Sequence, residues 1–295
     1  MDPVTIGLYG VLLPALAAGF VLAVGWRVWS AEPERIDGRW SGAPALALAF
    51  LVGTVGISGL PVVPGGDQTP TGLDWLAWVA LLAGAVLALQ PRLGRWGGAL
   101  RGILAILTIE LVLRNKITAA WSEGSEGIQW VLGLLALLFV DWLALERLAR
   151  RPGASGPLVL WLLAAALGGL AALSGSVTIG QLSGALAAGL GAALVAAWWR
   201  PRVTLAGPGV GVAAIVLFGL ALNAHFFSYT SGIDVLLFAA APLFGLLADL
   251  PKLRRESGWA QTLLTASFVA LPIAVALTRA VLAYESDPYA DYYDY

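Results

Sequence analysis

Four ionisable side chains interrupt otherwise apolar runs of this chain, and each is a candidate for chemistry. Glu110 and Arg114 stand four apart in LTIELVLRN, Asp141 lies in LLFVDWLALER, and Arg279 lies in ALTRAVLAYE. A charge inside hydrocarbon is costly, so such a group faces a cavity, finds a partner or serves a function. On one continuous helix Glu110 would lie near mid-membrane with Arg114 one turn closer to the outside, on the same face and able to pair with it. Asp141 falls nearer the cytoplasmic end of its helix and Arg279 nearer the outer end of the last one. Groups of this kind gate, carry protons or hold a charged substrate. They also neutralise one another inside a bundle, hydrogen-bond a neighbouring helix or reach interfacial water. Asp74, Asp234 and Asp249 fall at helix ends, where water is within reach.

The only histidine, His225, occurs in LNAHFFSYTSG beside Asn223, Ser228 and Tyr229. It could titrate near neutral pH or act as an acid or base, or it could be an interfacial residue bonded to its neighbours. Beyond these residues the chemistry thins out. There is no cysteine, and the one methionine is the first residue. These absences remove disulfides, thiolate-held clusters and most haem, copper or zinc sites. Neither a phosphate-binding GxxxxGK[ST] loop nor an HExxH pair is present, and no cofactor is expected. A net charge of −1 argues against nucleic acid as a partner.

The elements that position these residues follow from composition. With 59% hydrophobic and 12% charged residues, the chain reads as an all-α polytopic membrane protein. Apolar stretches of about 20 residues, the length that spans hydrocarbon, predict ten transmembrane helices. They fall near 5–26, 43–63, 73–90, 98–117, 127–146, 157–174, 177–199, 206–226, 232–250 and 260–283. The N-terminal MDPVTIG has no basic segment ahead of its apolar run, so the first helix is expected to be retained rather than cleaved. Residues 1–284 are then one transmembrane domain and 285–295 an external acidic, tyrosine-rich tail.

Arginines and lysines sort onto alternate loops, at Arg27, Arg35 and Arg39, then Arg92, Arg95 and Arg101, then Arg147, Arg150 and Arg151, then Arg200 and Arg202, then Lys252, Arg254 and Arg255. By the positive-inside rule these loops are cytoplasmic and both termini lie outside. This predicts cytoplasmic exposure for 30–42, 152–156 and 252–258, and an outward face for 64–71 and the tail. Trp26, Trp29, Trp40, Trp96, Trp198, Trp199 and Trp259 would mark the inner interface, while all seven tyrosines fall on or near the outer side. The location expected is a cell membrane, as in a bacterial inner membrane.

Each helix running inward begins near a glycine and reaches a basic residue at the same offset, as in GLDWL with PRLGR, GIQWV with ERLAR and GIDVL with PKLRR. These matches suggest five repeated αα-hairpins, although bilayer thickness alone would favour the same spacing. Gly180, Gly184 and Ala188 form a small-xxx-small row that would let another helix backbone approach closely.

Three functional classes fit. The first is a non-enzymatic subunit or scaffold that assembles with other proteins. Its docking element would be the tail, in which Tyr284, Tyr289, Tyr292, Tyr293 and Tyr295 supply amphipathic rings and Asp291 and Asp294 supply charge for a basic partner. The second is a secondary transporter or flippase-like protein for an apolar or lipid-like substrate, favoured by the repeat and by interruptions such as GISGLPVVPGG. A membrane-embedded transferase comes third, because the cytoplasmic loops carry neither paired aspartates nor a histidine.

Overall fold

The computed structural model describes residues 3–27, 38–121, 126–151, 153–200, 204–253 and 258–286. Over these residues the protein is an all-α polytopic membrane protein. Ten long helices follow one another along the described residues. The first, α1, is continuous through Pro3–Gly7, a π turn at Leu8–Leu12 and Leu13–Gly25. It is followed by α2 (Gly42–Ser58), α3 (Gly72–Ala88), α4 (Gly97–Val112), α5 (Glu126–Ala149) and α6 (Ser155–Leu173). The rest are α7 (Val177–Trp199), α8 (Pro208–Phe227), α9 (Gly232–Gly245) and α10 (Gly258–Glu285), with α9 prolonged by a 3-10 turn over Leu246–Asp249.

Eight of the helical runs are long and apolar enough to cross a bilayer. The two that fall short of the expected ten are α3, at 17 residues, and α4, at 16. Both are cut by local backbone features. A short Gln90–Leu93 turn ends at Gly94, whose φ of +50° favours glycine, and α4 stops at Leu113 before a separate Arg114–Ala119 turn.

The core is organised around α8, whose sequence PGVGVAAIVLFGLALNAHFF is apolar on every side and buried along almost its whole length. A helix without a polar face has to sit inside the bundle. It is surrounded by α2, α3, α4, α5, α6 and α7. Its glycines admit side chains from its neighbours: a Cβ at Gly219 would lie 2.3 Å from Leu76 Cδ1, and one at Gly211 would lie 2.5 Å from Leu87 Cδ1. The start of α8 depends on Gly207, which has a φ of +83° and so enters the helix by a turn that disfavours other residues.

Small residues also join α7 to α2, but not in the expected row. Gly180 does approach α6, with the Gly168 carbonyl 3.0 Å from where its Cβ would be. Gly184 faces open space, and Ala188 borders an outward groove between α1 and α7. The tight α2–α7 contact is made one position later in the sequence, by Ala185 against Gly53 and by Gly189 against Ala49. The five hairpins do not pack alike. Helices α1 and α2 are close partners, as are α9 and α10, whereas α7 rests mainly on α6, α1 and α2.

Aromatic residues follow the two ends of the bundle. Trp40, Trp96, Trp198, Trp199 and Trp259 are exposed at the basic end, and Tyr9, Tyr229 and Tyr284 at the tail end. Trp26 departs from the expected belt because it is buried against the core. Trp29 lies outside the described residues.

Candidate functional site

Asp234 and Asp249, read from sequence as water-facing helix ends, are held by arginines. Asp234 is buried and its Oδ1 accepts from Arg279 Nε at 2.9 Å, which joins α9 to α10. Arg279 is therefore an interhelical partner, and its half-exposed head lies one side of that contact. Asp249 receives Arg151 through a charged hydrogen bond and lies 3.7 Å from Arg147 Nε, while Arg151 also donates to Thr265 Oγ1. Asp74 closes a capping box with Thr71 at the start of α3, and its other oxygen accepts from Val62 N at 3.1 Å.

The Asp234–Arg279 pair makes an asymmetric prediction. Arg279→Leu strands a carboxylate inside the bundle, whereas Asp234→Asn leaves an arginine that can extend to the interface. The arginine change is expected to cost more, by about 1–2 kcal/mol, with stability recovered when both are replaced by neutral residues. Thermal unfolding of the two single variants and the double variant in detergent checks this ordering.

Glu110 and Arg114 do not form the expected pair. Because α4 ends at Val112 and turns at Leu113, the two residues do not share one helix, and both side chains are exposed. Glu110 consequently lies two residues from a helix end. The Arg114 guanidinium sits 5.8 Å from the centre of the Trp75 ring, at a cation–π distance.

Asp141 is different. It is 8% exposed, and its Oδ1 has no hydrogen-bond partner. It lines a partly open cavity of about 150 Å³ bounded by α5, α8 and α9, with Leu163 of α6 on one side. On α5 the wall is Trp130, Leu134, Leu138, Asp141 and Leu145, which recur at helical spacing and therefore share one face. Ala214 and Ala221 of α8 supply its floor, and their small side chains leave the space open. The third wall carries Val235, Leu236 and Pro242 of α9.

The cleft exists because α9 packs against α10 and barely touches α8. Pro242, inside α9, has no N–H to give the Phe238 carbonyl, which weakens the helix where it forms the wall. Leu236 and Trp130 are substantially exposed, so the cleft communicates with the exterior between α5 and α9. At 1.5 Å per residue Asp141 lies about 12 Å from the basic end of α5 and about 16 Å from Trp130. The site is thus an apolar slot with one carboxyl deep inside it.

Aromatic rings form the tail end of the slot. Trp121 and Trp130 stack at 5.9 Å, and Phe226 meets both edge-on at 5.5 and 5.8 Å. His225 packs against Phe226 and its Nδ1 lies 3.1 Å from the Thr230 carbonyl. A proton on Nδ1 would satisfy that contact and leave Nε2 as an acceptor. Among the described residues no group of three or more histidine, aspartate and glutamate side chains gathers as metal ligands would. The groove between α1 and α7 is larger, at about 450 Å³, but shallow and lined by small apolar residues and Trp199 without any charged side chain.

Glu146 is a structural residue that the sequence reading passed over. It is buried at the basic end of α5, accepts from Gly207 N at 2.9 Å and lies 3.6 Å from Arg101 and 3.9 Å from Arg150. Within ERLARR it reads as one more charge at the interface, and only the fold reveals that it meets the entrance of α8. Of the tail candidates, Tyr284 is exposed on the last turn of α10. Tyr289, Asp291, Tyr292, Tyr293, Asp294 and Tyr295 lie outside the described residues. Compared with family models, with curated proteins and with solved structures, the chain finds no match in any of the three.

Proposed function

We propose that this membrane protein binds a lipid-like molecule in the cleft between α5, α8 and α9, as a transporter or flippase-like protein does while moving its cargo. The observation that carries this reading is the pairing of an apolar slot, open toward the exterior, with an unpartnered buried carboxyl oxygen. Ligand sites in general combine apolar walls with a few convergent polar groups. A purely structural cavity would have little use for a carboxyl that the bundle leaves without a hydrogen bond. The test is photo-crosslinking of the purified protein with a diazirine-bearing hexadecyl amphiphile, followed by mass-spectrometric mapping. Crosslinks should concentrate on the walls of α5, α8 and α9 and be displaced by unlabelled amphiphile. Labelling spread evenly over every lipid-facing helix would contradict the reading.

We propose that the basic end faces the cytoplasm, as it would in a bacterial inner membrane, on the distribution of arginine and lysine. Ser41 and Ser155 are buried and cannot report this by labelling, but Gln68 and Lys252 are exposed. Single cysteines replacing Gln68 and Ser286 are expected to react with an impermeant thiol reagent in intact cells, and one replacing Lys252 only after permeabilisation. Labelling of the Lys252 position in intact cells would reverse the orientation.

Assembly with other proteins is a second reading, favoured by α10, which runs unbroken to Glu285 and carries Tyr284 exposed at the root of the tyrosine-rich tail. Deleting residues 286–295 should preserve insertion and release co-purifying proteins, and changing the tail tyrosines to serine should have the same effect. Retention of every partner by the truncated protein would end that reading.

A further inference from the structure

Helix α9 is fastened unequally along its length. At the basic end it is locked. A Cβ at Gly245 would lie 2.8 Å from Val269 Cγ2 of α10 and 3.1 Å from Leu148 Cδ1 of α5, so three helices meet there in close contact. Just beyond, Asp249 receives Arg151, Arg147 Nε lies 3.7 Å from it, and Gln261 Nε2 of α10 donates to the Ala248 carbonyl at 2.6 Å. Toward the tail end the fastening is a single bond. Asp234 Oδ1 accepts from Arg279 Nε at 2.9 Å, and among the described residues no hydrogen bond or ion pair joins Gly232–Gly245 to α5 or α8.

Asp234 and Gly245 are about three helical turns apart and so share the face of α9 that is turned to α10. The wall of the cleft is a different face, with Val235, Leu236, Ala239 and Pro242. The ion pair therefore draws the tail-end half of α9 away from the slot. Between the two fastenings Pro242 leaves the Phe238 carbonyl without an N–H, and a helix bends most readily at such a point. The connection from α8 guides the movement: Thr230 N donates to the Ala224 carbonyl at 3.3 Å, and the Thr230 carbonyl lies 3.1 Å from His225 Nδ1. The end of α9 is thus kept over α8 while free to travel sideways between α10 and α5. An unfilled slot of about 150 Å³ forfeits dispersion contacts along its walls, which favours closure. A buried carboxylate parted from its cation is the larger loss, and the slot stays open.

We infer that the Asp234–Arg279 bond is a latch that holds the tail-end half of α9 against α10 and keeps the cleft open. Once the latch is released, α9 bends at Pro242 and closes on α5. The inference concerns what opens the slot and not what fills it.

Double electron–electron resonance on the full-length protein in lipid nanodiscs measures the movement. The chain has no cysteine of its own, so spin labels go only where cysteines are introduced. One pair replaces Ile128 of α5 and Ile233 of α9, both exposed at the tail end and outside the cleft wall. A second pair replaces Leu143 and Leu247, both exposed nearer the basic end. The arm from Ile233 to Pro242 is about 14 Å long, so a bend of about 20° moves its tip by about 5 Å. Asp234→Leu combined with Arg279→Leu, which leaves neither charge behind, is expected to shorten the tail-end distance by about 5 Å and leave the basic-end distance as in the native protein. Asp234→Asn, which keeps an acceptor without the charge, should show both tail-end distances. A tail-end distance that stays native or lengthens in the folded double variant would overturn the inference. So would a change at the basic-end pair, which would mean general loosening rather than a hinge. If the double variant does not fold, Asp234→Asn decides, and a single native distance overturns the inference. Failure of both variants to fold would overturn it too, because the pair would then hold the bundle together rather than set the position of one helix. No ligand enters these measurements, so the reading of the cleft as a lipid-like site stands or falls by its own crosslinking test.

Discussion

Glu146→Leu is expected to destabilise the protein by about 3–5 kcal/mol, the cost of stripping one partner from a buried charge network. The carboxylate does three things at once. It accepts from the Gly207 N–H at the point where the chain turns into α8, lies 3.6 Å from Arg101, whose guanidinium is 5.5 Å from the Trp142 ring centre, and faces Arg150 one turn along its own helix. Leucine would leave the Gly207 donor and the largely buried Arg101 without it. Because α2 to α7 all pack on α8, loosening its entrance should be felt through most of the bundle. Glu146→Gln, which retains an acceptor for Gly207, should lose less. Pairing Glu146→Leu with Arg101→Leu should recover part of the loss, since the largely buried cation is then gone and the remaining Arg150 is exposed. Thermal unfolding followed by tryptophan fluorescence checks all three. The control is Glu110→Leu, which removes an exposed carboxylate and should change stability by less than about 1 kcal/mol.

The second large effect is on binding. Ala221 is buried in the floor of the cleft, and Ala221→Trp places an indole where the chain of a ligand would run. Crosslinking of the hexadecyl probe to α5, α8 and α9 should fall to background. The fold should pay only the overpacking cost, about 1–3 kcal/mol, because part of the indole enters existing space. Ala192→Trp adds the same bulk to the open groove between α1 and α7 and should leave cleft labelling unchanged. Equal labelling of the Ala221→Trp and native proteins would mean that the probe binds outside the slot.

Much of this fold could be read from the sequence because the bilayer imposes a strong periodic constraint. Apolar length located ten helices, eight of them long and apolar enough to cross a bilayer, and the charge-free, glycine-studded run from Pro208 to Asn223 marks a helix buried on every side. Composition could not reveal that α4 breaks at Leu113. That break places Glu110 near a helix end and parts it from Arg114. Nor could spacing choose between Gly184 and Gly189 as the contact to α2, since small residues occur on more than one face of α7. Among the four ionisable candidates, Asp141 was legible as costly and unpaired on its own helix. Its place in a cleft depends on α9, roughly a hundred residues further along the chain, leaning toward α10 and away from α8, a tertiary relation to α5 that no local signal encodes. Asp234 and Arg279 were each visible, but their bond was hidden for the same reason.

The central claim, that the cleft between α5, α8 and α9 is a lipid-like ligand site, is tested most directly by a cryo-EM structure of the protein in lipid nanodiscs at side-chain resolution. The account predicts an elongated non-protein density in the slot, bounded by Ala221 and Leu134, with its inner end in contact with the Asp141 carboxyl. A slot closed by direct contact between α5 and α9, with Asp141 hydrogen-bonded to the protein and no density beside it, would contradict the account.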